Sequence, residues 1–205
     1  MASKVVSMAE DSPWLFLRKF LRHGTRVASV APSSRFLARA MCHFVAPDRP
    51  QTILELGAGT GAITVVAAAK MHPESKLLAV ELDADFAGVL AARCPRATVL
   101  CCDVAELSER LPALGVERVE LVLSGLPTPS LPRAVNTAVF ETFTRCAPDA
   151  CFSQLTVMPW YYWPLYRRLF EQVDFQLVPL NFPSGGVYHC RRLRPDWREH
   201  LPGHG

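Results

Sequence analysis

The chain has 205 residues, half of them hydrophobic, which suffices for one sizeable core and gives no sign of a second globular domain. No apolar run reaches the roughly eighteen residues that cross a bilayer, and the start lacks the charged region, unbroken apolar core and small-residue cleavage site of a secretory leader. The net charge of +3 is too small to name a partner, while seven cysteines without a C-x-x-C pair point to reduced thiols in a cytosolic compartment.

The charge is unevenly placed. Residues 1–40 hold Lys4, Arg18, Lys19, Arg22, Arg26, Arg35 and Arg39 against Glu10 and Asp11, an asymmetry that points to an anionic surface. Asp11 or Ser12 can cap a helix with Pro13 in its first turn, and Gly24 can end it. On a helical wheel Trp14, Phe16, Leu17, Phe20 and Leu21 fall on one side and Arg18, Lys19, Arg22 and His23 on the other, with Leu15 the exception. A basic amphipathic helix of this kind over residues 12–24 lies in a membrane interface, each basic residue contributing about 1 kcal/mol on anionic lipid; the same apolar face can instead pack on the domain. Val30-Ala31-Pro32-Ser33-Ser34 then reads as a turn and helix cap. The helix from about Arg35 to Val45 turns Phe36, Leu37, Ala40, Met41 and Phe44 to a core.

Ile53-Leu54-Glu55-Leu56-Gly57-Ala58-Gly59-Thr60-Gly61 follows, an apolar strand carrying an acid and running into three glycines spaced by two. It reads as a strand turning into a helix, about Ala62 to Met71, whose free N–H groups face a small molecule. A dinucleotide loop, G-x-G-x-x-G, has one more residue before its third glycine and is built for a pyrophosphate. The tighter G-x-G-x-G loop, with Glu55 at the strand end, suits a ligand bearing an ammonium group, and S-adenosyl-L-methionine is such a ligand. Lys76–Glu81 is a second strand, whose Glu81 can accept both hydroxyls of a ribose. A third strand, about Ala97 to Cys102, ends at Asp103, where an acid can meet the adenine amino group. Each acid alone reads equally as a helix cap or a solvated strand end. Three at successive strand ends favour the ligand.

The remaining chain alternates as a doubly wound α/β sheet does: a helix near Val104–Leu111, a strand over Val119–Ser124, a helix near Pro132–Cys146, a strand near Cys151–Val157, a helix over 163–173, and strand-like runs Phe175–Leu180 and Gly186–Arg191. The tail from Arg194 reads as loose. Cys101 and Cys102 read as plain surface and core positions. Strand 119–124 leads into Ser124-Gly125-Leu126-Pro127, and ligands in an open α/β sheet gather at such strand ends, so this loop should face the reactive methyl group. Base-amine methyltransferases place Asn or Asp there, followed by Pro-Pro and an aromatic. This chain has neither the amide nor the stacking ring, so no nucleic acid is expected as partner.

Phe16-Leu17-Arg18-Lys19-Phe20, Val30-Ala31-Pro32-Ser33-Ser34, Leu54–Gly61 and Ser124-Gly125-Leu126-Pro127 together resemble the bacterial soluble phospholipid N-methyltransferases, over about residues 12–193. The glycine loop is shared by most methyltransferases, whereas the Ala-Pro-Ser-Ser and Gly-Leu-Pro segments are more specific; Ala58 stands where the family often has Pro. The resemblance implies a Rossmann-like sheet of about seven strands with an antiparallel end strand, behind amphipathic helices in residues 1–45 that bind a membrane and cover the cofactor, with the methyltransferase domain over 46–193 and the tail over 194–205. It implies stepwise methylation of phosphatidylethanolamine toward phosphatidylcholine, by a cytoplasmic protein held peripherally on the membrane. It also implies a cofactor set of Ser33, Glu55, Gly57, Gly59, Gly61, Glu81, Leu82, Asp103, Val104 and Ser124, an acceptor set of Ser124, Gly125, Leu126 and Tyr188, and no metal.

Methyl transfer to an amine is a direct displacement, in which the protein aligns the nucleophile and strips it of water. No side chain stands out as the base that takes the amine proton; water or a main-chain carbonyl near Gly125 would serve. Trp160-Tyr161-Tyr162-Trp163 and Tyr166 can offer faces to a methylated ammonium, at roughly 0.5–2 kcal/mol each, or form an interfacial belt or a partly buried cluster. Tyr188, with Arg191 and Arg192 nearby, can meet a lipid phosphate, or the arginines can simply be solvated. A methyltransferase of RNA or of a protein amine, with the basic helix as its polymer-binding arm, is the alternative reading. A binding module without turnover is a third, against which the acids at 55, 81 and 103 argue.

Overall fold

Residue order alone puts a parallel sheet at the centre. Short runs of β-branched and aliphatic residues, buried on both faces, alternate with helices that can cover them. The computed structural model describes residues 34–179 and 185–202. In chain order these form α1 (Ser34–Met41), β1 (Thr52–Leu56), α2 (Ala62–Lys70), β2 (Lys76–Glu81), α3 (Ala84–Arg93), β3 (Thr98–Cys101) and α4 (Leu107–Ala113). There follow β4 (Leu121–Ser124), α5 (Arg133–Cys146), β5 (Cys151–Thr156), α6 (Pro159–Leu169), β6 (Phe170–Val178), β7 (Gly185–Leu193) and α7 (Trp197–His200).

The seven strands stand in the order β3-β2-β1-β4-β5-β7-β6. The pairs from β3 to β5 are parallel, and β7, last in the chain, is antiparallel to both β5 and β6. The strand order reverses between β1 and β4, so the crevice above their carboxyl ends is where a ligand fits an open α/β sheet. On one face Leu54, Leu56, Val80 and Val122 pack with Phe140, Phe143, Phe152, Phe170 and Tyr188. On the other, Ile53, Leu77, Ala79 and Leu121 pack with Met41 of α1, Ala67 of α2 and Leu90 of α3.

Two sequence expectations are corrected. The helix expected over 163–173 begins at Pro159 and ends at Leu169. Pro159 sits at its first position, where a proline's missing N–H costs nothing, and Phe170–Val173 are drawn into β6 by pairing with β7. The tail expected to be loose is docked as far as its described residues reach: Trp197 and Leu201 are buried, and the Arg133 guanidinium donates to the carbonyls of Leu201 and Arg198. The basic amphipathic helix of residues 12–24 lies outside the described residues, as does Ser33. Among the described residues no helix is long and apolar enough to cross a membrane, and no cluster of three or more His, Cys, Asp or Glu is placed to hold a metal ion.

Candidate functional site

Glu55 is the fourth residue of β1 and is 1 % exposed, on a sheet face where its neighbours in register are Ala79 and Leu123. Among the described residues no well-formed hydrogen bond reaches either of its carboxylate oxygens, Thr64 of α2 being a polar neighbour. Burial is the main cause that pushes its carboxyl up to about 8; nearby Thr64 of α2 pulls the other way and the Glu81 charge adds to the rise. A buried carboxylate left without a partner is expensive unless something positive meets it.

Immediately beyond, Gly57, Gly59 and Gly61 all take positive φ, at 69°, 57° and 89°. At Gly57 the requirement is double. The conformation is left-handed, and a Cβ would fall 2.6 Å from Leu126 Cδ2, so the loop after β4 closes directly over the loop after β1. Gly125 is constrained the same way from the other side: a Cβ there would lie 3.0 Å from the Gly57 carbonyl oxygen, and its own N–H donates to the Leu56 carbonyl.

Glu81 ends β2 and is 1 % exposed. Its Oε2 accepts from the Gly59 N–H at 2.7 Å and its Oε1 from the Asp83 N–H at 2.9 Å, so the carboxylate pins the glycine loop to β2. A carboxylate has about four acceptor positions, which leaves Glu81 capacity for two hydroxyls. Asp103 follows β3 and plays two parts. Its Oδ1 caps the 3-10 turn Val104–Glu106 by accepting from the Ala105 N–H, with Glu106 completing the capping box, and the residue also lines a cleft with Gly57, Val80, Leu82, Cys102, Val104 and Leu126. Burial raises its carboxyl. The cleft is a narrow, mainly apolar slot with one acid at its edge.

The structure thus brings together Glu55, Gly57, Gly59, Gly61, Glu81, Leu82, Asp103, Val104 and Leu126. An ammonium beside Glu55, ribose hydroxyls at Glu81 and a base in the slot by Asp103 would match S-adenosylmethionine, and Glu55, buried with no cation beside it among the described residues, is the feature that calls for one. Bound there, the cofactor supplies a methyl group on an electron-poor sulfonium.

Ser124, last in β4, is wholly buried and its Oγ has no hydrogen-bond partner among the described residues. The acceptor loop after it is held by two residues that the sequence did not single out. Gln154 of β5, in register with Ser124, donates through Nε2 to the Leu126 carbonyl at 2.7 Å. The Thr128 hydroxyl donates to Gln154 Oε1 at 2.9 Å, and the Thr128 N–H also reaches the Leu126 carbonyl, at 2.8 Å. The Leu126 carbonyl is therefore spent, and among the main-chain acceptors near Gly125 it is not the one to receive an amine proton. A glutamine inside a strand gives no signal of this role in one sequence.

Tyr188 is corrected as an acceptor-site residue. It is fully buried in β7, its ring tilted against Tyr166 at 4.6 Å and Phe175 at 5.3 Å, and its hydroxyl donates to the Pro159 carbonyl. Burial pushes its phenol up to about 12. It therefore anchors the start of α6 and cannot meet a headgroup in this arrangement. Arg191 and Arg192 do not meet one either, because the β5–β7 register carries them to the opposite edge of the sheet from the glycine loop. There the Arg191 guanidinium lies 4.3 Å from the centre of the Phe44 ring, and Arg192 is 3.8 Å from Glu171. Of the aromatic run, Trp160 and Tyr161 are exposed, Tyr162 and Trp163 half-buried and Tyr166 buried.

No protein-family model matches the chain. It is 41 % identical over 185 residues to an ornithine lipid N-methyltransferase of Singulisphaera acidiphila, a match covering 88 % of this chain and 96 % of that protein. Among solved structures it resembles 1,6-didemethyltoxoflavin-N1-methyltransferase of Burkholderia thailandensis, crystallised with 1,6-didemethyltoxoflavin and S-adenosylhomocysteine, with a TM-score of 0.64 at 19 % identity over 95 % of this chain and 94 % of that one. It also resembles an O-methyltransferase of Bacillus cereus in complex with SAH, with a TM-score of 0.57 at 12 % identity over 91 % and 94 % of the two chains. The structural likenesses establish a Rossmann-like methyltransferase fold.

Proposed function

From the premise that the chain belongs to the family of the ornithine lipid N-methyltransferase, and so is an S-adenosylmethionine-dependent methyltransferase, we propose that it methylates the terminal amine of an aminolipid, with an ornithine headgroup as first substrate. The 41 % identity to that relative carries the reading. A match covering 88 % of the chain necessarily includes both the glycine loop and the Ser124–Pro127 loop, so it concerns the acceptor end as well as the cofactor end. Phosphatidylethanolamine is the second reading, favoured by the Ala31-Pro32-Ser33-Ser34 and Gly125-Leu126-Pro127 segments. Both headgroups offer a primary amine on a flexible stem beside an anion, a carboxylate in one and a phosphate in the other.

In this reading Glu55 holds the cofactor's ammonium, Glu81 its ribose and Asp103 its base. Leu126 closes over Gly57 to exclude water, and the Gln154–Thr128 clamp holds the Ser124–Leu126 loop where an amine can line up behind the methyl group. The Ser124 hydroxyl, without a partner among the described residues, supplies a hydrogen-bonding group at that place. The reaction runs at a membrane surface because its acceptor is a lipid.

Vesicles containing ornithine lipid and phosphatidylethanolamine in equal amounts, incubated with the full-length protein and S-adenosylmethionine and followed by lipid mass spectrometry, test this reading. Added methyl groups on ornithine lipid before phosphatidylethanolamine are expected. Methylation of phosphatidylethanolamine alone would replace the first reading by the second, and no methylated lipid of either kind would defeat both.

A further inference from the structure

Seven large hydrophobic residues are markedly exposed among those described, and four of them lie in one short stretch: Val157 and Met158, each 48 % exposed, Trp160 at 76 % and Tyr161 at 72 %. The stretch follows the carboxyl end of β5, on the same sheet edge as the glycine loop and the acceptor loop. It is fastened there. The Tyr162 hydroxyl lies 3.3 Å from Ser130 Oγ just past the acceptor loop, Tyr188 donates to the Pro159 carbonyl, and the Trp160 ring packs 5.8 Å from Phe175.

The open face of α6 is equally specific in composition. Trp160, Tyr161, Pro164, Arg167 and Arg168 are its exposed residues, and at about 100° per residue they fall within an arc of about 120°. No acidic residue occurs from Val157 to Leu169. Neither Arg167 nor Arg168 forms an ion pair among the described residues. Trp and Tyr are the side chains that settle at headgroup depth, with rings in the apolar zone and polar tips in water, while arginines on long stems reach anionic phosphates from the same face.

We propose that Val157–Arg168 is a membrane-docking surface separate from the N-terminal segment, which seats the rim of the acceptor loop in the interface of an anionic bilayer. The proposal rests on the lipid-acceptor reading, since an enzyme acting on headgroups has to bring its mouth to them. It adds where the bilayer lies: against the start of α6, with Trp160 and Tyr161 inserted and Arg167 and Arg168 on the phosphates.

The test uses the full chain with two double variants, Trp160→Ser/Tyr161→Ser and Arg167→Gln/Arg168→Gln. Sedimentation measures binding to phosphatidylcholine–phosphatidylglycerol vesicles and to neutral phosphatidylcholine vesicles. S-adenosylhomocysteine binding, expected unchanged in both, reports the fold. The aromatic pair should weaken vesicle binding on the order of tenfold, with a parallel fall in the rate on vesicle-borne lipid amine. The arginine pair should weaken binding by about tenfold on anionic vesicles only. Wild-type binding and wild-type rates on vesicles for both variants would overturn the docking surface while leaving lipid methylation standing. A wild-type dimer in analytical ultracentrifugation that becomes monomeric in the aromatic variant, with vesicle binding unchanged, would assign the face to a second copy and also overturn it. A wild-type protein that methylates no aminolipid in any vesicle would defeat the lipid reading itself.

Discussion

Glu55 sets the electrostatic state of the candidate cofactor site. Its carboxyl is raised from an ordinary carboxylate value to about 8, chiefly by burial. The folded chain therefore holds this proton more tightly than the unfolded chain does, so the stabilisation is complete below the unfolded value and is lost as pH rises through 8. His189, held down to about 4 by its own burial, loses stability only as pH falls below the ordinary histidine range, so the two effects are separable. The melting temperature of the cofactor-free protein should fall between pH 6.5 and 8.5, and Glu55→Gln should flatten that slope. The same variant should bind S-adenosylmethionine about 10–100-fold more weakly in calorimetry, the scale of one charge-assisted hydrogen bond to a buried cation. At Gly57, alanine would meet both a left-handed backbone and Leu126, and should cost about 1–2 kcal/mol for the backbone alone, with further loss from the contact, read by urea denaturation. The positions of the acids at the strand ends were legible because strand boundaries are set locally. Tyr188 was not. In β7 both faces of residues 185–190 are covered, so alternation could not tell a tyrosine aimed at a ligand from one buried under α6.

At the scale of elements, the acceptor loop depends on its neighbour strand. Gln154→Leu removes the donor to the Leu126 carbonyl and leaves the Thr128 hydroxyl without its acceptor, at a cost of about 1–3 kcal/mol for buried groups left unpaired. The expected kinetic signature is a raised KM for the lipid amine and a lower kcat, with S-adenosylhomocysteine affinity changed less than threefold; equal loss of cofactor and acceptor binding would place the clamp's effect on the cofactor end instead. This clamp was illegible because it depends on register: Ser124 stands beside Gln154 only once β4 and β5 are paired, and the two residues are thirty apart in the chain. The α6 boundary was misplaced for a related reason. Phe170–Val173 continue a helical spacing of apolar residues, yet β7 offers them backbone partners and takes them into β6. The glycine loop, whose geometry is local, takes at each of its three glycines the positive φ that its spacing implies.

For the whole molecule, the alternation of apolar runs and helices sufficed to give a doubly wound sheet. The docked tail depended on contacts that sequence does not carry. Trp197 packs 5.6 Å from Phe140 and is 2 % exposed, so Trp197→Ala should cost about 3–5 kcal/mol in chemical denaturation, whereas a loose tail would cost nothing measurable. One assembly then follows from the sheet outward: a cofactor cleft over β1, β2 and β3, an acceptor loop after β4 locked by β5, and an open aromatic rim after β5, all on one edge. That arrangement is coherent if the acceptor is an amine presented from a lipid surface. The most direct test incubates the full-length protein with methyl-labelled S-adenosylmethionine and a mixture of aminolipid vesicles, tRNA and a lysine-rich protein, then separates the organic, nucleic-acid and protein fractions. Label is expected in the organic phase on a lipid amine, falling together with cofactor binding in Glu55→Gln at subsaturating S-adenosylmethionine; label in the RNA or protein fraction with none in the lipid would contradict lipid methylation.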